Sequence, residues 1–229
     1  MTDRGGQSPR ERYRAQVRAE IKRHAWEQIA TAGVAALSLN AIAKQVGMSG
    51  PALYRYFASR DELITALIRD AYRSLADEVR AAADSGADLI GLARAIREWA
   101  RSDPQRYFLI YGTPVPGYHA PDDTVQISFE VMTVLLEVCG AAPASGPATP
   151  FDTHLEMHRD WVFGHPAPAT TLHRALSFWT RLHGVLSLEL AGHFAGMKID
   201  PDLLIADELR ALLGSAGGDG QQVAADPQQ

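Results

Sequence analysis

Cysteine is nearly absent from this chain of 229 residues. Its one thiol, Cys139, excludes an internal disulfide and fits a reducing, cytoplasmic setting. Cys139 stands in an apolar helical stretch, so a buried structural thiol is expected. Long apolar runs are missing as well: none approaches the roughly 20 residues that a bilayer-spanning helix needs, and no membrane partner is expected. The opening MTDRGGQSPRERYR has no apolar core and no cleavage site, so it does not read as a secretion signal. A Ser-His-Asp signature, a nucleophile elbow, a phosphate-cradling glycine loop and paired carboxylates are all lacking. No catalytic residue, enzyme activity or cofactor is therefore expected. What remains is ordinary: 46% hydrophobic and 21% charged residues exclude disorder for the bulk of the chain and leave room for one large domain or two small ones.

The formal charge of −5 conceals a strong asymmetry. Residues 1–60 hold ten Lys/Arg against four acids, a balance of +6, and the rest holds twelve bases against 23 acids, a balance of −11. A basic front and an acidic rear turn one end of a molecule toward phosphates. A solvated helix with incidental arginines would give the same count, so the motif must decide.

Leu39 to Phe57, LNAIAKQVGMSGPALYRYF, predicts two short helices and one tight turn. Leu39, Ile42, Ala43 and Val46 make an apolar face at helical spacing, with Ser38 ahead as N-cap. Gly47 supplies the left-handed residue that ends a helix, Ser49 can cap the next, and Pro51 is tolerated in its first turn. Leu53 and Phe57 point back, and Gly50, Pro51, Ala52, Tyr54 and Arg55 face outward. This is a helix-turn-helix, whose second helix enters the DNA major groove. A long helix from Arg10 to about Ala32 precedes it, with Ile21, Ala25 and Ile29 inward and Gly33 as its stop. After it, Ser59 and Glu62 can form a reciprocal capping box ahead of a helix carrying Leu63, Leu67, Ala71, Leu75 and Val79.

Residues Ile21, Ala25, Ile29, Gly33, Ser38, Ile42-Ala43, Gly47, Ser49, Leu53-Tyr54, Phe57 and Leu63 resemble, in order and without a gap, the N-terminal domain of the tetracycline-repressor (TetR) family of regulators. Farther on, Trp179, His183 and Gly184, at W-x3-H-G spacing, resemble the WHG-type C-terminal domain of some members. The resemblance implies an all-α protein with a helix-turn-helix domain over residues 1–60 and a helical effector-binding and dimerisation domain over 61–213; the composition of 214–229 predicts a disordered tail. The expected DNA-facing set is Ser38, Lys44, Ser49, Gly50, Pro51, Ala52, Tyr54, Arg55, Tyr56 and Arg60. Tyr54 and Tyr56 are expected on phosphates, Arg60 on the backbone, and Arg55 as the one long donor able to read a guanine edge. Arg4, Arg10, Arg12 and Arg14 supply a basic N-terminal arm.

The rear half predicts helices broken by Gly112–Pro121 and by the Ala/Pro/Gly/Ser stretch Ala141–Pro150. Phe151–Phe163 is expected as a short helix, and Thr170–Phe194 as a long one. Along the latter Leu172, Leu176, Trp179, Leu182, Val185, Leu186, Leu188 and Leu190 cover most faces. Such a helix is either the centre of one subunit or a dimer face; the resemblance implies a homodimer through 170–194 and 201–213. Trp99, Tyr107, Tyr111, Phe129, Met132, Trp161, Phe178, Trp179 and His183 are core packing singly, and as a set could line a cavity for an unknown small-molecule effector. His154 and His158, four apart, have metal-ligand spacing but no fixed third ligand, so no metal site is assigned. The sequence thus reads as a cytoplasmic, ligand-responsive, homodimeric repressor of a double-stranded, palindromic DNA operator. Alternatives are an activator, a corepressor-dependent regulator, or a helical enzyme or metal-binding protein carrying the module.

Overall fold

A computed structural model describes residues 8–119, 121–141 and 147–214. Arg4 of the expected arm, the middle of the Ala141–Pro150 stretch and the expected tail beyond Gly214 lie outside these residues. The described residues form α-helices joined by turns, with no strand among them. The fold class is the all-α one expected. The described residues divide into two compact units: those within 1–74 and 103–127, and those within 75–102 and 128–214.

The first unit is built by helix signals that the sequence carries openly. Helix α1 spans Pro9–Ala32, opened by a Ser8–Glu11 capping box and closed at Gly33, whose φ of 76° favours glycine. Helix α2 spans Leu39–Val46; the Ser38 side chain accepts from Ala41 N–H, and Gly47 ends it in the left-handed region. Helix α3 covers Gly50–Leu53 and α4 covers Arg60–Asp84. Ser59 Oγ accepts from Glu62 N–H at 3.0 Å, whereas the Glu62 carboxylate takes the N–H of Ala58, so the expected box closes one residue early. Helix α6, Pro104–Tyr111, is capped by Asp103. The core gathers Ile21, Ala25, Ile29, Ile42, Leu53, Phe57, Leu63, Ile64 and Leu67, each buried.

The second unit takes α5 (Leu89–Ser102), the rear of α7 (Asp122–Gly140), α8 (Pro150–Met157), α9 (Ala169–Leu190) and α10 (Pro201–Gly214). Cys139 is buried as expected, and that burial raises its thiol to about 12. Two helix expectations need correction. The segment Phe151–Phe163 divides into α8 and a separate 3-10 turn over Asp160–Val162, closed by Phe163 at φ 48°. Between them the Arg159 guanidinium donates to the carbonyls of His165 and Ala167, fixing a loop where a continuous helix was expected. The long helix stops at Leu190 instead of Phe194. His193 N–H bonds Leu188 C=O and Gly192 N–H bonds Glu189 C=O, a Schellman end with Gly192 at φ 79°.

Arg97 on α5 ties three helices of this unit together. Its guanidinium meets both oxygens of Glu189 on α9, at 2.8 and 2.7 Å, and Asp202 on α10 at 2.5 Å. Arg97 is 8% exposed, and these partners offset the cost of keeping its permanent charge in the interior. Their hydrogen bonds and charges, Glu189 first, raise its already high pKa.

Candidate nucleic-acid interface

Helix α2 packs on α1 and on α3, and Ile42, Ala43, Leu53 and Phe57 are buried in one core with Ile21, Ala25 and Ile29 of α1. That packing decides which face of α3 is left outside. Ser49, Pro51, Tyr54 and Arg55 are exposed, and Gly50 and Ala52 are half-buried. A Cβ added at Gly50 would lie 3.5 Å from Asn40 Oδ1, ordinary contact, so α2 does not demand glycine there. The small residues at 49–52 keep the α3 surface low enough for a duplex to approach closely.

Helix α3 proper is only four residues long and continues as a tight turn over Tyr54–Tyr56. Arg55 N–H and Tyr56 N–H bond the carbonyls three residues back, Ala52 and Leu53. The Ser49 side chain makes no cap bond, contrary to expectation, so its exposed hydroxyl is not spent on the helix end. The carbonyls left over at the C-terminal end are taken by α1. Arg14 donates to Arg55 C=O at 3.4 Å and Arg18 donates to Tyr56 C=O. The Arg18 guanidinium also lies 4.0 Å over the Phe57 ring, and the Arg14 guanidinium 5.9 Å from the Tyr56 ring. These two arginines, spaced i,i+4 on one face of α1, hold the reading segment in place. Their spacing is visible in the sequence, but nothing local reveals that their partners lie about forty residues away.

The other expected residues sort by what already engages them. Lys44, in the last turn of α2, is exposed. Ser38 is half-buried and caps α2, while its N–H goes to Gln28 Oε1 at 3.0 Å. Tyr54 is 46% exposed, and Tyr56 half-buried. Arg60 donates to the carbonyls of Val34, Ala35 and Leu37, at 2.8–3.3 Å, and so clamps the turn before α2. A phosphate would have to share or replace those bonds.

The aromatic set expected around an effector is distributed over both units. Tyr107 and Tyr111 belong to the first, their rings 5.4 Å apart. Burial raises the Tyr107 phenol to about 12 and Tyr111 well above its ordinary value. Trp99, Phe129, Met132, Trp161, Phe178, Trp179 and His183 belong to the second. Trp99 and Phe178 are buried in the core, and Met132 and Trp161 half-buried. Phe129 meets Phe163 edge-on at 4.9 Å, and Trp179 lies 4.1 Å from the His183 ring. Burial lowers His183 to about 4, which keeps its imidazole neutral near pH 7. The rings of His154 and His158 stack at 4.2 Å, with His158 Nδ1 2.9 Å from the His154 carbonyl. Among the described residues no group of three or more His, Cys, Asp or Glu is placed to hold a metal ion. Nor is any helix among them long and apolar enough to cross a membrane.

A three-helix unit with a left-handed glycine turn, an exposed small-residue helix face and a basic surround defines a helix-turn-helix DNA-binding regulator. Comparison with known proteins narrows that class. Residues 21–67 match the family of bacterial regulatory proteins described as the tetR family, and residues 89–212 match the tetracyclin repressor-like C-terminal domain. The chain is 37% identical over 216 residues to the HTH-type transcriptional regulator Rv1816 of Mycobacterium tuberculosis, covering 87% of this chain and 92% of that one. It is 68% identical to the regulatory protein SCO4313 in a crystal structure, with a TM-score of 0.85 over 90% of this chain and all of that one. A Rhodococcus protein of unknown function shares the fold alone, at 19% identity and a TM-score of 0.66 over 95% of this chain and all of that one. The chain belongs to the TetR family of transcriptional regulators.

Proposed function

We propose that this regulator is a homodimeric, ligand-responsive repressor that places two α3 segments in successive major grooves of a palindromic operator. The observation that supports this most is the α3 face, where Ser49, Pro51, Tyr54 and Arg55 stand exposed while arginines of α1 hold the segment from behind. Ser49 to Ala52 approach base edges, Tyr54 and Tyr56 reach phosphates through their hydroxyls, and Lys44 adds charge beside them. Arg60 and Ser38 act from the flank, chiefly by shaping α2.

Dimerisation is supported by the outer face of α9. Leu172, Phe178, Leu182 and Leu186 are buried within the second unit, yet Leu188 is 44% exposed, and Leu203 on α10 is 67% exposed. Small residues Gly184 and Ser187 beside them allow a second helix to come close. A two-fold axis there sets the spacing of the reading segments, about 34 Å for half-sites one turn apart. An effector held in the helical C-terminal half, with Phe129, Met132, Trp161, Trp179 and His183 of the second unit as candidate lining, acts by preferring a dimer whose spacing no longer fits.

Two substitutions probe the DNA face. Arg55→Ala is expected to cost about 1–3 kcal/mol at one operator position and little elsewhere, measured by competition with single-base operator variants. Equal weakening on every sequence would make Arg55 a phosphate contact instead. Removing residues 1–7 takes away Arg4 while sparing the Ser8–Glu11 cap, whereas removal to residue 14 would also strip that cap and the Arg14 bond. The shorter truncation is expected to weaken operator binding and to lower the log-log salt slope by about one. An unchanged slope would show the arm to be idle.

A further inference from the structure

Helices α5 and α10 enclose a cleft of about 690 Å³, a size that suits a small-molecule ligand. Its charge is the opposite of its surroundings. Residues 61–229 carry twelve bases against 23 acids, yet four of those twelve, Arg94, Arg97, Arg101 and Arg210, line this one cleft, against two acids, Glu98 and Asp202. Between the arginines lie apolar groups, among them Ile90, Ala93 and Ile205.

The arginines are not equally occupied. Arg97 is held by Glu189 and Asp202, and Arg101 lies 3.7 Å from Glu189. Arg94 and Arg210 are exposed, and among the described residues neither has a hydrogen bond or ion pair. Arg97 also treats its two carboxylates differently. Glu189 is deeply set and bidentate, whereas the Asp202 side chain is 58% exposed and contributes one oxygen from the first turn of α10. Asp202 is thus the weakly held member, sited where the cleft meets Arg97. A guanidinium presents a planar fork to a carboxylate, and an apolar floor beside it selects anions with a hydrocarbon body over bare ones.

We propose that this cleft binds a small organic carboxylate, whose apolar body lies on the Ala93–Ile205 floor and whose carboxylate replaces that of Asp202 on Arg97 under the charge of Arg94 and Arg210. Asp202 is then a built-in competitor: in the absence of ligand it occupies Arg97, and its displacement frees the first turn of α10 from α5. The site is separate from the aromatic set, and its regulatory consequence rests on the ligand-responsive reading above.

Calorimetry on the full-length protein with octanoate, 1-octanol and inorganic phosphate tests the site directly. Octanoate is expected to bind saturably, one per chain, with octanol and phosphate each far weaker. The double variant Arg94→Ala/Arg210→Ala removes two charges that anchor nothing in the fold and should weaken octanoate roughly tenfold. Asp202→Asn should tighten it several-fold, the opposite of what loss of a purely structural brace would do. Unsaturable octanoate, equal affinity for octanol, indifference to the arginine pair, or weakening by Asp202→Asn would each overturn the site. Operator binding measured with saturating octanoate separates the two readings. Weakened DNA binding supports the cleft as the effector site, and unchanged DNA binding overturns that role while upholding the ligand site. Absence of octanoate binding overturns the cleft without touching ligand response elsewhere in the fold.

Discussion

Arg97→Ala is expected to destabilise the second unit by about 3 kcal/mol, the cost of stripping the largely buried Glu189 carboxylate of its bidentate partner and leaving it only Arg101 at 3.7 Å. Glu189 shares the interior with Arg97, and both of its oxygens are spent on that guanidinium. Asp202 contributes less, because its side chain is largely in water. Equilibrium denaturation followed by far-ultraviolet circular dichroism would show the loss as a lowered midpoint. The pair Arg97→Met/Glu189→Leu should recover much of it, since two apolar groups of similar bulk leave no charge stranded. A single-variant loss below about 1 kcal/mol would mean that the pair is solvated and that α5, α9 and α10 are held by Leu92, Leu182 and Leu209 and their apolar neighbours alone.

Leu188→Glu combined with Leu203→Glu is expected to give well-folded monomers whose operator affinity falls about 100-fold or more. Both side chains stand outside their own subunit, so the substitutions spare its core. At a dimer interface each would instead bury a charge without a partner. The affinity falls because two linked half-site contacts become two independent ones, and effective concentration in such pairs is worth about 100-fold to 10,000-fold. Sedimentation velocity at micromolar concentration reads the association state, and circular dichroism checks that helix content is kept. Dimers that persist would place the two-fold contact elsewhere. Leu186→Glu would be a poor substitute, because Leu186 is fully buried in its own subunit and the variant would fail by unfolding.

That contrast between Leu186 and Leu188 shows where sequence reasoning reaches its limit. A count of apolar residues along α9 finds too many for one face, but the inward stripe is settled by packing against α8 and α10, which periodicity does not encode. Local signals fared better. Ser38, Gly47 and Gly33 mark helix ends through their own backbone and side-chain chemistry, and each does so in the structure. Gly192 carries the same kind of signal and ends α9 four residues before the apolar pattern does. Features that join distant positions were illegible. The Arg14 and Arg18 hold on α3 and the Arg97 tie to Glu189 and Asp202 bridge 38 to 105 residues of chain, and no spacing rule points from one end to the other. Conversely, the aromatic residues drew attention by type, and the structure sets several of them, such as Tyr107 and Phe178, fully inside the core.

The measurement that bears most directly on the whole account is fluorescence anisotropy of the purified protein with its own promoter fragment and an unrelated duplex, across a salt series. The α3 face and its basic surround predict saturable binding that prefers the promoter by about 1,000-fold or more, with log affinity falling linearly as log salt rises. Equal affinity for both duplexes, or affinity indifferent to salt, would contradict a sequence-reading role for Ser49–Arg55.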